Sequence, residues 1–491
     1  MGKLKAISRV GIMKHEQGEL IASEGNVRWS LSSTLAVVPL LIGAFLPPLD
    51  YFIVNLSLPA IHSDLSVSDE SLQLIISVYA CSYAVGLITA GRMGDRFGRK
   101  RLFLIGVFLF LLASLLCALA TSSSVLIAGR LIQGISASIF APQVLATIRA
   151  SFDMRYQTVL TAFYGFIFGI AAITGQILGG VVVDNDIFGL GWRLIFMLNI
   201  PVGIVVLVMA SLFVNESISV AERNDKIDFV GLILLVMLFL EVLIPISQGN
   251  IFRSLWSLTL LMMSIPTLFL LIKYEGSFSR NRGDALIDLK VFHNPVIAIG
   301  LLLAFLFYSD SAFIFTFGIY LQSGYQLSST YSGLLFLPFA LGFIIGPLLT
   351  PWLYNSLKNG ILIFGYVIML AGFGWLSFTT FSSPPSFVIQ SMAIFLAGIG
   401  HGITLSVVNK VIIAEAKKDQ AGLVSGLIIC TLQVGSALGV ALLGQVFFSN
   451  LRTTKLPGDF SYAFRTTLYS LEVVMIICIV MSIILCCLRR N

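Results

Sequence analysis

Residues 91–101 read GRMGDRFGRKR, the most charged stretch of a chain that otherwise avoids charge. On either side lie apolar segments, each long enough to cross a bilayer. The 491-residue chain is 57% hydrophobic and 11% charged, with a mean hydropathy of +0.96. A water-exposed surface of this size needs far more charge, so the composition is that of a polytopic membrane protein. Within the stretch, Asp95 stands at the C-terminal, partly negative end of an apolar helix, where a carboxylate is disfavoured. It needs a partner, either a nearby cation or the N-terminal end of another helix. Gly91 and Gly94 remove side chains where a second backbone can approach. Arg96, Arg99, Lys100 and Arg101 hold the connection on the inner face of the membrane. A positive-inside anchor accounts for the cations alone. The glycines and the aspartate at fixed spacing point to a gating contact.

A membrane-crossing helix needs roughly 20 apolar residues. Fourteen segments qualify, at 34–61, 71–91, 102–120, 124–148, 158–183, 193–213, 227–246, 254–273, 296–322, 331–354, 361–381, 386–412, 421–448 and 465–488. The ten-residue alternation of a membrane barrel is not visible, so the expected fold is all-α with 14 transmembrane helices. Orientation follows from Lys and Arg. With both termini cytoplasmic, 24 of the 30 cations fall on or beside inner segments and 5 on or beside outer ones, while Arg130 alone lies deep within a span.

Internal echoes organise these spans. AVGLITAGRMGDRFGRKRLFLIG, at the end of the second span, has a worn counterpart in ALGFIIGPLLTPWLYNSLKNGILIFG at the end of the tenth; AGRLIQG in the fourth resembles AGIGHG in the twelfth. Counterparts eight spans apart imply two six-helix halves and an inserted pair, spans seven and eight. The expected divisions are a cytoplasmic tail (1–33), an N-terminal half (34–213), an inserted two-helix region (214–295) and a C-terminal half (296–491). Parallel repeats of this kind mark secondary transporters that rock around a central site.

The pattern G-x-x-x-D-R-x-G-R-K, formed here by Gly91, Asp95, Arg96, Gly98, Arg99 and Lys100, resembles the signature loop of the major facilitator superfamily. LDYFIVNLSLPAI (49–61) resembles the first-span motif of its fourteen-span drug:proton antiporters, LIAGRLIQGISASIFAP (126–142) their fourth-span motif, and GLGWRLIFMLNIPVGI (189–204) the entry to their sixth span. The resemblance covers about residues 34 to 450. It implies alternating access driven by the proton gradient, with no other cofactor. It also implies a coupling set containing Asp50, Asn55, Arg130 and Gln133. Tyr51, next to Asp50, is expected on the cavity wall. One departure stands out. The fifth-span antiporter motif, G-P-x-x-G-G in the family, reads GQILGG, with Gln176 in the proline's place. Gly175, Gly179 and Gly180 keep the close packing, but a proline kink is absent.

Ionisable residues inside a membrane are expensive and mark function by default. Asp50 follows Pro47 and Pro48 in the first span; Arg130 lies at comparable depth in the fourth, and the two are expected to face one cavity. Asp310 is near the middle of the ninth span. Phe307, Phe313, Ile314 and Phe317 share its helical face, and the three phenylalanines are expected to line the cavity. There an isolated carboxylate on an aromatic wall suits an apolar cation, and burial disfavours its charged form, which suits proton exchange. His401, near mid-depth in the twelfth span, is either a hydrogen-bonded packing residue or an acceptor for that proton. Glu241, in the inserted pair, reads as an interfacial carboxylate.

Other functions are excluded or disfavoured. There is no G-x-x-x-x-G-K-[ST] loop for an ATP-driven pump. Histidines at 15, 62, 293 and 401 supply no metal or catalytic cluster, so neither an enzyme nor a metal site is expected. The net charge of +6 sits beside spans and does not indicate nucleic acid. The six cysteines lie within apolar spans, which argues against a disulfide framework, and the polar N-terminus lacks the pattern of a cleavable signal. The expected function is export of amphipathic cationic or neutral drugs, dyes or biocides in exchange for protons. The expected setting is a monomer among lipids of a bacterial cytoplasmic membrane. The competing expectation is a dedicated exporter or importer of one metabolite, such as a siderophore or an antibiotic.

Overall fold

The computed structural model describes residues 31–217, 228–248, 254–282, 289–381, 386–416, 421–452, 454 and 456–489; of the expected tail, all but residues 31–33 lies outside them. Fourteen helices are long and apolar enough to cross a membrane, and no strand occurs among the described residues. They are α1 (Leu31–Leu65), α2 (Asp69–Phe97), α3 (Arg99–Ala118), α4 (Ser123–Ser151), α5 (Met154–Asn185), α6 (Arg193–Phe213), α7 (Phe229–Ser247), α8 (Leu255–Arg282), α9 (Pro295–Gly324), α10 (Ser329–Leu357), α11 (Ile361–Thr379), α12 (Phe387–Ala414), α13 (Ala421–Asn450) and α14 (Pro457–Leu488).

Several ends are set by side chains. Ser68, Ser122 and Ser328 each accept a hydrogen bond from the backbone of the following turn, at the starts of α2, α4 and α10. These caps satisfy donors that no lipid could. Lipid-facing flanks carry exposed apolar side chains, among them Phe108 and Leu112 on α3, Ile204 and Val208 on α6, and Ile265 and Phe269 on α8.

Helices α1 to α6 pack mainly on one another, through α1 with α5 and α6, α2 with α4, and α3 with α4 and α6. Helices α9 to α14 do the same through α10 with α12, α11 with α12 and α14, and α9 with α13 and α14. Two long seams join the groups, α2 against α13 and α5 against α10. Helix α7 lies along the first seam, touching both α2 and α13, and α8 packs on α7. Glu241, expected at the interface with water, is instead 5% exposed and accepts a hydrogen bond from Thr267 Oγ1 of α8 at 3.1 Å. A carboxylate at that place needs such a donor, and α8 supplies it to α7.

Two helices depart from a single rod. In α6, a break at Leu198 separates Arg193–Met197 from Asn199–Phe213. In α9, Pro295–Phe307 is followed by a tighter 3-10 turn at Tyr308–Asp310, then Ser311–Ile319 and a wider π turn at Tyr320–Gly324. The 3-10 turn ends at Asp310, one of the residues that meet the central space.

Candidate functional site: a buried ion-pair network beside a central cavity

Asp50 of α1 and Arg130 of α4 are both fully buried and form an ion pair through Nη1 and Oδ2. Arg130 Nη1 also donates to Gln133 Oε1 at 2.7 Å. Gln133 Nε2 in turn donates to Asp50 Oδ1 at 2.8 Å and Ser114 Oγ at 2.9 Å. Asn199 Nδ2, where α6 restarts after its break, donates to Asp50 Oδ1 at 2.9 Å. Arg130 Nε donates to the carbonyl of Ile75 at 3.2 Å, and its guanidinium lies 4.0 Å from the centre of the Tyr79 ring. The Tyr79 hydroxyl donates to the Pro47 carbonyl at 3.0 Å. One charge pair thus ties five helices together, with the surrounding donors offsetting its desolvation.

The pair does not face the cavity, contrary to the expectation from matched depth. Neither residue lines the large central space, which begins one layer away at Pro47, Tyr51 and Tyr79. Depth along two helices was read correctly, but azimuth was not, because both residues point into the α1–α4 contact. Asn55 also lies off this cavity: its Nδ2 donates to the Tyr51 carbonyl at 2.7 Å, and its Oδ1 has no partner.

The cavity holds about 440 Å³, within the range of small-molecule sites. It runs from mid-helix to the ends bearing Arg149, Thr161, Ile413 and Ser425. Its wall is largely apolar and aromatic. Asp310 and His401 line it together, with His401 Nδ1 2.6 Å from Asp310 Oδ2. The carboxylate is therefore not isolated, and His401 is hydrogen-bonded to it. The imidazole is itself held by aromatic rings, with centroids 4.6 Å from Phe307, 5.1 Å from Phe343 and 5.5 Å from Phe339. Tyr51 lines the cavity as expected, and its hydroxyl is 3.0 Å from Ser436 Oγ of α13.

Phe307, Phe313 and Phe317 do not line it. All three are buried; Phe313 and Phe317 stack with Phe464, Tyr320 and Phe336 in the packing among α9, α10 and α14. The residues of α9 that do face the space are Tyr308, Asp310, Ser311 and Ile314. A 3-10 turn advances about 120° per residue instead of about 100°. Across Tyr308–Asp310 the phase therefore slips by roughly 60°, which displaces Phe307 relative to Asp310. Phe313 and Phe317 follow on regular helix, at about −60° and −20° from Asp310, on the side away from Ser311 and Ile314 at about +100° and +40°.

At the ends beside the cavity mouth, α2 runs on as helix through Phe97, so the charged connection is one residue, Gly98, with φ of 104°. That left-handed backbone favours glycine. Asp95 finds its cation locally: Arg99 Nε donates to Oδ1 at 2.9 Å. Glu216, after α6, accepts from the backbones of Lys100 at 3.0 Å and Arg101 at 3.1 Å, capping α3, and Lys100 Nζ donates to the Ser211 carbonyl at 2.8 Å. Gly94 accommodates Gln143, which donates to the Ala90 carbonyl at 2.7 Å; a Cβ at Gly91 meets nothing within 4 Å. Arg96 lies 5.2 Å from the ring of Phe97.

The opposite end is closed along α5 and α10. Gly175 and Gly179 lie against α1 at Phe52 and Ile53, and a Cβ on Gly180 would come 2.6 Å from the Ser329 carbonyl oxygen. The Gln176 carbonyl meets Gly333 of α10. Asp184, which sequence reasoning missed, accepts from the backbones of Ser329 at 2.8 Å and Thr330 at 2.6 Å. A carboxylate at the C-terminal end of one helix is thereby held on the N-terminal end of another. Nearby, Gln322 Nε2 donates to the Leu56 carbonyl at 2.9 Å. Asn199, Ser114 and Asp184 were the polar groups left unassigned; Asn199 already stood in the sixth-span motif, which was the available signal.

Known proteins agree with this architecture. The Major Facilitator Superfamily pattern matches residues 40–440. The chain is 30% identical over 429 residues to the "Probable actinorhodin transporter" of Streptomyces coelicolor, an alignment covering 85% of this chain and 73% of that one. It is 27% identical to the "Methylenomycin A resistance protein" of Bacillus subtilis, covering 92% and 96% of the two chains. Among solved structures, a bacterial homolog of the human lysosomal transporter Spinster superposes with a TM-score of 0.68 at 16% identity, covering 93% of this chain and 98% of that one. With fourteen membrane-length helices around a central cavity, and with relatives named for transport and resistance, the chain belongs to the Major Facilitator Superfamily of multi-pass membrane transporters.

Proposed function

We infer that this transporter exports amphipathic aromatic compounds in exchange for protons. In this reading two six-helix halves, 34–213 and 296–491, rock about the cavity, with the region 214–295 inserted between them. It works as a monomer in a bacterial cytoplasmic membrane with both termini inside, where the Lys and Arg bias puts them. The observation that carries the coupling is the hydrogen-bonded Asp310–His401 pair on the cavity wall. Such a pair can take up and release a proton where a bound substrate covers it. The fully buried Asp50–Arg130 pair is then a positioning element, because neither residue lines the cavity. The closed α5–α10 seam and the cavity mouth near Arg149 correspond to a state loading from the cytoplasm. The names of the relatives, one for actinorhodin and one for methylenomycin A, support antibiotic-like cargo. The actinorhodin name equally supports the competing reading of one dedicated metabolite.

Proteoliposomes with an imposed pH gradient test this. A panel of aromatic dyes should accumulate only when the gradient has the exporting sign, and Asp310→Asn should abolish that dependence. Dye movement indifferent to the gradient would remove proton coupling. Movement of one compound out of the whole panel would favour the dedicated exporter.

A further inference from the structure

The charge of the cavity lining bears on which compounds it accepts. Among its described lining residues the ionisable carboxylate is Asp310, and His401 already partners it; the other fixed charge is Arg149, at the mouth. Arg149 is exposed at the end of α4, and among the described residues no carboxylate lies within ion-pair distance of it. Suppose the Asp310–His401 pair holds no proton, one or two. Its charge then runs from negative through neutral to positive, and Arg149 adds a positive charge in every case. In no protonation state does the summed charge of the lining become negative. Only the pair without a proton offers an organic cation a charge of opposite sign, whereas an acidic group meets Arg149 in every state.

The rest of the wall points the same way. Tyr51, Tyr79, Tyr83, Tyr164 and Tyr308 line the space, offering phenol rings for stacking against flat ring systems. A guanidinium at the rim offers paired donors suited to a carboxylate or phenolate.

We propose that the preferred substrates are acidic polycyclic aromatics, flat bodies bearing a carboxylate or acidic phenol that Arg149 holds at the cavity mouth while the rings lie among the tyrosines. This rests on the export reading for the use of the cavity, but separates recognition at Arg149 from proton exchange at Asp310 and His401.

Two dyes built on one xanthene body test it: fluorescein, which is acidic, and rhodamine 123, which is cationic. Binding to the purified full chain in detergent is read from dye anisotropy, with no pH gradient. The wild type should bind fluorescein at least about tenfold more tightly than rhodamine 123. Arg149→Gln should weaken fluorescein by about tenfold, as loss of a charge-assisted hydrogen bond predicts, and leave rhodamine 123 within about twofold. Arg149→Lys should recover most of the loss. Rhodamine 123 bound as tightly as fluorescein, no binding of fluorescein, or equal losses of both dyes in Arg149→Gln would each overturn the proposal. Failure of proton coupling in the proteoliposome assay would sink the export reading and leave this preference measurable.

Discussion

At the scale of single residues, the ion pair at Asp50 and Arg130 and the pair at Asp310 and His401 are alike in chemistry and different in setting. The first is fully buried and surrounded by amide and hydroxyl donors; the second faces a cavity. Breaking the first strands a charge away from water. Arg130→Ala should therefore cost roughly 3–5 kcal/mol of stability, seen as a large fall in the thermal unfolding midpoint in detergent. Asn199→Ala, which removes one donor from the same carboxylate, should cost roughly 1.5–3 kcal/mol. Unchanged midpoints in both variants would show that the network does not hold the helices together. Sequence alone made Asp50 and Arg130 visible, because charges within apolar spans are rare. It could not single out Ser114 or Asn199, since uncharged polar residues recur in most of the spans. It also placed Phe313 and Phe317 on the cavity, because an apolar stripe around Asp310 does not say on which side of the carboxylate the cavity lies; it lies on the side of Ser311 and Ile314.

At the scale of helices, both ends of the molecule use a carboxylate at a helix C-terminus, and they solve its electrostatics differently. Asp95 is satisfied within its own segment by Arg99. A partly exposed pair of this kind is worth only about 0.2–1 kcal/mol. Asp95→Asn should accordingly leave the unfolding midpoint nearly unchanged. If it also slows transport at matched membrane levels, Asp95 acts in a state other than this one; undiminished transport would remove the gating role. Asp184 is satisfied across the α5–α10 seam by the first backbone amides of α10. Asp184→Ala should loosen that end. Spin labels at Ile187 and Gln326 should report a longer, broader distance distribution, and an unchanged one would show that glycine packing alone keeps the seam shut. Gln176→Pro tests the departure from the family motif at the same seam. Its carbonyl already meets Gly333, so a kink should disturb the seam more than it disturbs the cavity. The charged motif announced the first of these ends in the sequence. The second stayed hidden because Asp184 follows a span as any loop residue might, and only the fold brings α10 to it.

At the scale of the whole molecule, fourteen helices, their order and the special place of residues 91–101 were legible from hydropathy, charge bias and motif spacing. What composition could not show was azimuth, meaning which side of each helix meets its neighbours. For that reason the cavity's charge came out differently from expectation: the carboxylate expected to await a cation already has its imidazole. The central claim is that binding of substrate at the cavity and release of a proton from Asp310 and His401 are one event. It is tested most directly by adding an uncharged aromatic substrate, which brings no charge of its own to the pair, to purified protein in weakly buffered detergent solution with a pH indicator. Substrate should release protons from the wild type in proportion to occupancy, across a pH window that Asp310→Asn abolishes while substrate still binds. Saturating binding to the wild type without proton release, or equal release from Asp310→Asn, would contradict the account.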